Sequence, residues 1–587
     1  MGIHEIEPIE YTVSLKAPQT QMLDIRMLIR GVGGPVLDVS MPVWRPGRYQ
    51  ILDPAGGVCE VKAAAGSGHS LPIVKADKTT WRITAGGARE ITVSYRVLAN
   101  SLGDRTRHVD DTHAFLSGTT VFFFVPDRRN DPISVNIEAP ASWKVATGLE
   151  CAPDNPRKLF APNYEVLADS PIEVGRHDLL EFNVDGKPHQ IAIWGGAKYD
   201  AERLKSDFSK IVKSHTGLFG DMPYRRYVFI IHTVPGASGG TEHLNSTIIQ
   251  TSRRSLELEQ EYRAFLGTVS HEFFHTWNVK QFRPAGIHPY DYLRENYTDL
   301  LWVAEGTTSY YADLANVRAD IITPAEYLDI LSEAIDAMRN RPGARVQSPA
   351  QSSWDAWTRF NRAAPDDPNF TVSFYAAGAL ASLLMDMELR RRTKNEISLD
   401  DVMREMYRRF PLSGKGYTTG DLIALLEAMS HSQWTDFFAR YIQGTEQLPF
   451  ESALNVVGLE LSMQPERKDD PVTQIPYPGL RLANHNGFIL VRSVLSDGPA
   501  YEAGVLPGDE IVAVNGRRVS AAQFDGWIGL LRPGDPVTLH LIRRDELRTL
   551  SFRLAGKPNT RWRVLRTGNP AEPQKAAYRS WLHQEWI

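Results

Sequence analysis

His271-Glu272-Phe273-Phe274-His275 sets two imidazoles four residues apart, with a carboxylate beside the first. On a helix, residues i and i+4 share a face about 6 Å apart along the axis, so both rings reach one divalent ion. Glu272 then points to one side of that ion, where it can take a proton from bound water. With 16 histidines in 587 residues, the pattern is expected by chance only about 0.03 times. A catalytic zinc site takes three protein ligands and keeps a fourth position open, so these two histidines call for one more ligand from elsewhere. The spacing of residues 265, 266, 269, 273 and 277, all apolar, predicts a helix over roughly 255–280.

The elements that must hold this motif change character along the chain. Up to about residue 190 the pattern alternates apolar and polar with period two. Ile9-Glu-Tyr11-Thr-Val13-Ser-Leu15, Leu23/Ile25/Met27/Ile29, Ile91/Val93/Tyr95/Val97 and Ile133/Val135/Ile137 read as half-buried strands. Turn clusters such as Arg45-Pro46-Gly47 and Asp53-Pro54-Ala55-Gly56-Gly57 separate them, which favours a sandwich-like domain. From about 200 the period shifts toward helix. Thr323-Pro324-Ala325-Glu326 carries an N-cap, a first-turn proline and an N3 glutamate, predicting a helix that runs to Asn340. Ser398-Leu-Asp-Asp401 and Thr418-Thr-Gly-Asp421 open two more. Prolines 471, 476 and 478 read as a linker, followed by short strands at 488–491, 510–514 and 537–541. The Arg- and Trp-rich segment from 558 carries no readable pattern.

Four further segments resemble known families. Leu301-Trp302-Val303-Ala304-Glu305-Gly306-Thr307-Thr308, with 29 residues between His275 and Glu305, looks like the second metal-binding helix of the gluzincin metallopeptidases, whose third ligand is a Glu. That spacing is longer than in the best-known gluzincins and implies an inserted loop, about 281–297, folded out of the way. Gly239-Gly240-Thr241-Glu242 resembles the Gly-x-x-Glu segment of the aminopeptidase branch, whose Glu binds the substrate's free α-ammonium; His243 stands where many relatives carry Asn. Ser373-Phe374-Tyr375-Ala376-Ala377-Gly378 resembles their Tyr-x-Lys-Gly segment, with Ala377 in place of Lys, and implies Tyr375 as an oxyanion donor. Residues about 475–556 resemble a PDZ domain. Its most characteristic stretch is Gly498–Gly516, and Gly479, Leu480, Arg481 and Leu482 lie at the loop where backbone N–H groups capture a peptide C-terminus. Together with Met41-Pro-Val-Trp-Arg-Pro-Gly47 and Ala168-Asp-Ser-Pro171, these segments are similar to the glycyl aminopeptidase family.

The resemblance implies a multidomain α+β chain: a β-sandwich-like N-terminal domain (1–190), a thermolysin-like zinc catalytic domain (191–320), a helical subdomain completing the cleft (321–465), a PDZ domain (470–557) and a tail (558–587). It implies one Zn²⁺ per chain on His271, His275 and Glu305, with Glu272 as general base, Tyr375 on the oxyanion and Glu242, Gly239 and Gly240 lining the substrate cleft. The expected substrates are peptides with a free N-terminus and a small first residue, Gly or Ala. The alternatives are a zinc endopeptidase on the same site and a PDZ scaffold whose peptidase domain is inactive; the complete set of four site residues argues against the second.

Composition agrees with this reading. Hydrophobic residues make up 42% of the chain and charged residues 23%, which excludes a largely disordered chain. Lys+Arg at 65 against Asp+Glu at 70 leaves a net charge of −5, giving no basic face for nucleic acid. Cys59 and Cys151 alone support neither a disulfide framework nor thiolate metal ligands. The acidic start, Met1–Pro8, has no apolar leader core, and no run of about 18 apolar residues is expected to span a bilayer. This predicts a cytoplasmic protein, or a periplasmic or secreted one if a leader has been removed. Oligomeric state is open.

Overall fold

A computed structural model describes residues 8–362, 364–467, 471–485 and 488–586. The stretch 1–7, read above as lacking a leader, lies outside the described residues. The chain divides into two compact units, one of residues 8–298, 311–322 and 403–418, the other of 299–310, 323–402 and 419–586.

In the first unit the alternating stretches form the strands their period predicts. Ile9–Ser14, Met22–Arg30, Glu90–Leu98 and Ile133–Glu138 are neighbours in an eight-stranded sheet. Their buried positions are the odd residues of the apolar pattern, including Tyr11, Val13, Ile25, Met27, Val93 and Tyr95. A four-stranded sheet contains His113–Leu116 and Ile172–Gly175, and a three-stranded sheet contains Val36–Ser40.

The catalytic part of this unit is a five-stranded sheet. Lys187–Trp194, Tyr227–Thr233 and Ser246–Thr251 run parallel, and Gly239–Glu242 pairs antiparallel at the edge. All seven residues of Tyr227–Thr233 are buried, because Val228 and Ile230 pack on Phe115 and Ala146 of the four-stranded sheet while Phe229 packs on Phe208 and Phe273 of the helices. Helix Ala201–Phe219 is capped by Asp200, whose side chain accepts from the Glu202 and Arg203 amides, and ends on left-handed Gly220. Helix Glu259–Phe274 packs beside it and carries the histidine motif.

The motif helix stops at Phe274, short of the expected 280, with His275 at its C-cap. The carbonyl of Asn278 takes the His275 Nδ1 proton at 2.9 Å, a bond that needs the chain to turn back after His275. The segment 281–297 is irregular, as expected of an insertion, but is not folded out. Phe282, Ile287, Tyr290 and Tyr292 are buried, the Tyr292 carbonyl accepts from Val43 N, and Trp44 Nε1 donates to the Asp291 carbonyl. Its aromatic content makes it part of the core beneath Met41–Gly47.

In the second unit, helix Pro324–Arg339 has the full Thr323/Glu326 capping box and ends at Asn340. Helices Leu399–Arg409 and Thr419–Ser430 also start where their caps predict. Helix Phe374–Arg392 is almost wholly buried. The segment Asp367–Arg392 is long and apolar enough to cross a membrane by length and composition, and 72% of its most apolar window is buried inside the protein, as in a core helix. The C-terminal strands form a sheet ordered Leu480–His485, Phe488–Val494, Glu510–Val514, Pro536–Arg543, Glu546–Arg553 around a core that includes Ile489, Val491, Ile511, Phe524 and Leu539. This module leaves and re-enters the unit through one antiparallel strand pair, Leu459–Pro465 with Thr560–Arg566.

Candidate metal centre and peptide cleft

The motif helix is held from behind by polar and aromatic contacts. Ser270 Oγ donates to the Ala312 carbonyl at 2.9 Å and sits 2.9 Å from His215 Nε2. Phe273 packs edge-on against Tyr227 and Trp277, and Phe274 stacks on Tyr311 at 4.7 Å. These contacts fix the rotation of the helix and so the direction of His271. His271 Nε2 and His275 Nε2 are 3.2 Å apart. With its Nδ1 proton committed to Asn278, His275 turns an Nε2 lone pair toward His271, the tautomer a metal ligand needs. Glu305 is buried and carries the third donor that the motif calls for. Two imidazoles and a carboxylate fit a divalent zinc ion.

Glu305 lies in a π-helical turn, Trp302–Thr307, that continues into helix Thr308–Arg318. Such turns occur mostly at functional sites. Gly306 and Gly378 let this turn approach helix Phe374–Arg392 closely. A Cβ on Gly378 would lie 2.4 Å from the Trp302 carbonyl oxygen, and one on Gly306 2.4 Å from Gly378 Cα.

Glu242 and Glu272 are both buried, and with His275 they offer donor atoms within 4.8 Å of one another. Two glycines make room for the carboxylates. A Cβ on Gly240 would fall 2.6 Å from Glu272 Cγ, and one on Gly47, at φ +78°, 2.5 Å from Glu242 Oε2. Gly239 at φ +121° begins the edge strand, in a conformation glycine tolerates best.

Sequence reasoning missed the polar network behind Glu242. Lys280 Nζ, fully buried, is 2.7 Å from Asp169 Oδ1 and 3.8 Å from Glu242 Oε1. His243 Nδ1 is 3.2 Å from Asp169 Oδ1, and the Leu244 amide donates to Oδ2 at 2.9 Å. Burial pushes the Asp169 carboxyl up, but Lys280 and His243 outweigh it and hold it at about 2. Burial pulls the His243 imidazole down, with Asp169 opposing that shift. Arg45 Nη2 donates to Thr241 Oγ1 at 2.6 Å, and burial with Arg105 nearby lowers its guanidinium to about 10. Asp169 and Arg45 fall within the two N-terminal segments that resemble the family; no signal marked Lys280.

Tyr375 opens helix Phe374–Arg392, its amide bonded to the Ser373 N-cap and its ring stacked on Phe360 at 5.4 Å. In the C-terminal module, Gly479 is buried at φ +78° against Gly498. Leu480 and Leu482 pack on the module's core, Arg481 is exposed, and helix Ala521–Gly529 flanks their strand.

A mixed sheet backed by this histidine helix, with Glu242 and Glu272 beside His275, is the arrangement of a metallopeptidase-type domain. Residues 10–176 match the Peptidase M61 N-terminal domain, 264–381 the M61 glycyl aminopeptidase domain and 476–554 a PDZ domain. The chain therefore carries an M61 N-terminal domain, an M61 glycyl aminopeptidase catalytic domain and a C-terminal PDZ domain. It is similar to the crystal structure of an aminopeptidase N family protein from Idiomarina loihiensis: TM-score 0.91 and 28% identity, covering 98% of this chain and 100% of that one. An M1 zinc metallopeptidase from Deinococcus radiodurans overlaps 76% of this chain and 96% of its own at a TM-score of 0.48 and 15% identity. Among curated proteins, a probable periplasmic serine endoprotease DegP-like of Brucella suis is 34% identical over 90 residues, 15% of this chain. The chain spans 17% of the length of that relative, in the PDZ region.

Proposed function

We propose that this protein is a zinc aminopeptidase that removes small N-terminal residues, Gly or Ala, from peptides. The observation that carries the reading is the pair of His271 and His275 Nε2 atoms, 3.2 Å apart, inside an M61 glycyl aminopeptidase match that also takes in Glu305. A zinc ion on these ligands supplies Lewis acidity and lowers the pKa of water at the site toward ~7. Glu272, beside the ligands and backed by Gly240, accepts the proton of the attacking water and delivers it to the leaving amine. Tyr375 stabilises the developing oxyanion by donating a hydrogen bond from its hydroxyl. Glu242 receives the substrate α-ammonium, with Gly239 and Gly240 leaving room for the peptide along the edge strand. Lys280 Nζ is shared between Asp169 at 2.7 Å and Glu242 at 3.8 Å, so a substrate ammonium brings a second cation to two buried carboxylates, which favours free N-termini. Gly479 and the start of strand Leu480–His485, at Leu480, Arg481 and Leu482, take a peptide C-terminus, in keeping with the helix Ala521–Gly529 that flanks this strand.

The deciding experiment couples metal analysis to hydrolysis of glycyl and alanyl chromogenic amides and of matched N-acetylated peptides. One catalytic zinc and cleavage only of free N-termini is the expected result. Equal cleavage of free and acetylated peptides makes the protein an endopeptidase. Metal without any hydrolysis makes it a scaffold.

A further inference from the structure

Away from the peptide cleft, Glu173 lies at 0% exposure with imidazoles gathered around it. It comes from strand Ile172–Gly175 of the N-terminal four-stranded sheet, as His113 comes from the neighbouring strand His113–Leu116. His232 comes from the central strand of the catalytic sheet, Tyr227–Thr233. His113 Nδ1 is 3.0 Å from Glu173 Oε1, and His232 Nε2 is 3.0 Å from Oε2. The three donor atoms lie within 4.8 Å of one another. His177 completes the ring. It is 2% exposed, its Nδ1 is 4.0 Å from Glu173 Oε1, and neither of its ring nitrogens has a hydrogen-bond partner.

We propose that Glu173, His113, His232 and His177 form a second metal site, which holds a structural Zn²⁺ joining the N-terminal β region to the catalytic sheet. Three observations carry it. The buried carboxylate is surrounded by imidazoles, with no lysine or arginine in ion-pair contact among the described residues. His177 is a buried, unpartnered imidazole aimed at that carboxylate, which is costly unless a cation engages its lone pair. Three imidazoles and one carboxylate, from strands of two sheets and from His177 just after Gly175, suit a closed, four-coordinate zinc with no open position for water. This separates the site from the peptide cleft, where Glu272 stands beside the ligands as a base. Metal on His232 Nε2 leaves the proton on Nδ1, so Gln250, whose amide lies 3.4 Å from Nδ1, turns its carbonyl to that ring. Because the ligands are buried, the ion is taken up as the chain folds rather than exchanged through an open mouth.

The inference stands independently of the peptidase reading and is tested on the full chain by zinc stoichiometry. The protein should purify with two zinc ions per chain and show two anomalous peaks at the zinc edge, one of them at Glu173. The His271→Ala/His275→Ala variant should keep one zinc, and strong chelation should lower its melting temperature. Glu173→Gln should lose one zinc and retain hydrolysis, with His177→Gln as the milder variant should Glu173→Gln not fold. A single anomalous peak at His271/His275, or a His271→Ala/His275→Ala protein without zinc, overturns the proposal and leaves a purely hydrogen-bonded Glu–His cluster.

Discussion

Glu272 shows how one side chain depends on its neighbours. Its carboxylate lies over Gly240, and the space is Gly240's missing Cβ. Glu272→Gln is expected to retain zinc and lose turnover by about 10²–10⁴-fold, the usual worth of a general base. Gly240→Ala makes a sharper test, because its Cβ displaces Glu272 without touching a ligand. Zinc content and fold should persist while kcat falls, measured by metal analysis and steady-state kinetics. A second residue-scale prediction concerns acid stability. Burial lowers His189 to about 4, with Nδ1 3.0 Å from the Lys187 carbonyl and Nε2 2.9 Å from Tyr224 Oη. The folded state keeps this imidazole neutral, while the unfolded chain protonates it near 6.5. Its contribution is therefore fully present above 6.5 and is lost as pH falls toward 4. The loss is about 2 kcal/mol at pH 5 relative to pH 7. His189→Gln should shrink the pH 7-to-5 drop in unfolding free energy by about that amount in denaturant titrations.

At the scale of elements, the caps written into 323–326, 398–401 and 418–421 each start a helix, since capping is a local property of a few adjacent residues. The alternating strands were legible for the same reason. The ends and irregularities were not. The motif helix stops at Phe274 because of the turn that brings the Asn278 carbonyl to His275, and the π turn at Glu305 depends on a helix more than 60 residues away in the chain. Gly378 probes that dependence. Alanine there meets the Trp302 carbonyl oxygen at 2.4 Å, backbone against backbone, so Gly378→Ala is expected to cost about 1–3 kcal/mol as overpacking. It should also lower zinc occupancy through Glu305, read by thermal melts alongside metal analysis.

At the scale of the molecule, the unreadable C-terminal segment proves to be part of a core. Strand Thr560–Arg566 packs on helix Pro324–Arg339, where the Trp562 amide donates to Asp336 Oδ1 and the Val564 amide to Ser332 Oγ, both at 2.9 Å. In helix Glu572–Leu582, Tyr578, Trp581 and Leu582 are fully buried. Trp581 Nε1 donates to Tyr310 Oη, which donates to Asp386. The PDZ module is therefore an insertion between two paired strands. Removing 560–587 is expected to destabilise the protein by several kcal/mol, as burying two aromatic anchors implies. Excising 474–558 and closing Leu459–Pro465 onto Thr560–Arg566 with a short turn should leave a folded protein active on short peptides. Circular dichroism melts and amide hydrolysis on both variants check this, and a loss of folding in the excised form makes the PDZ structural.

By itself the sequence determined the family resemblance, the residues proposed for the chemistry and the local elements. Metal ligation, base catalysis and helix capping depend on residue types at short fixed spacings, and strand burial on a period of two. Only the tertiary structure decided how Lys280 and Asp169 stand behind Glu242, why 281–297 is core rather than a looped-out insert, that four groups meet at Glu173, and where the tail belongs. Those contacts join residues separated by tens to hundreds of positions, and each alone is an ordinary lysine, tryptophan or histidine. Their roles come from the partners that folding brings to them.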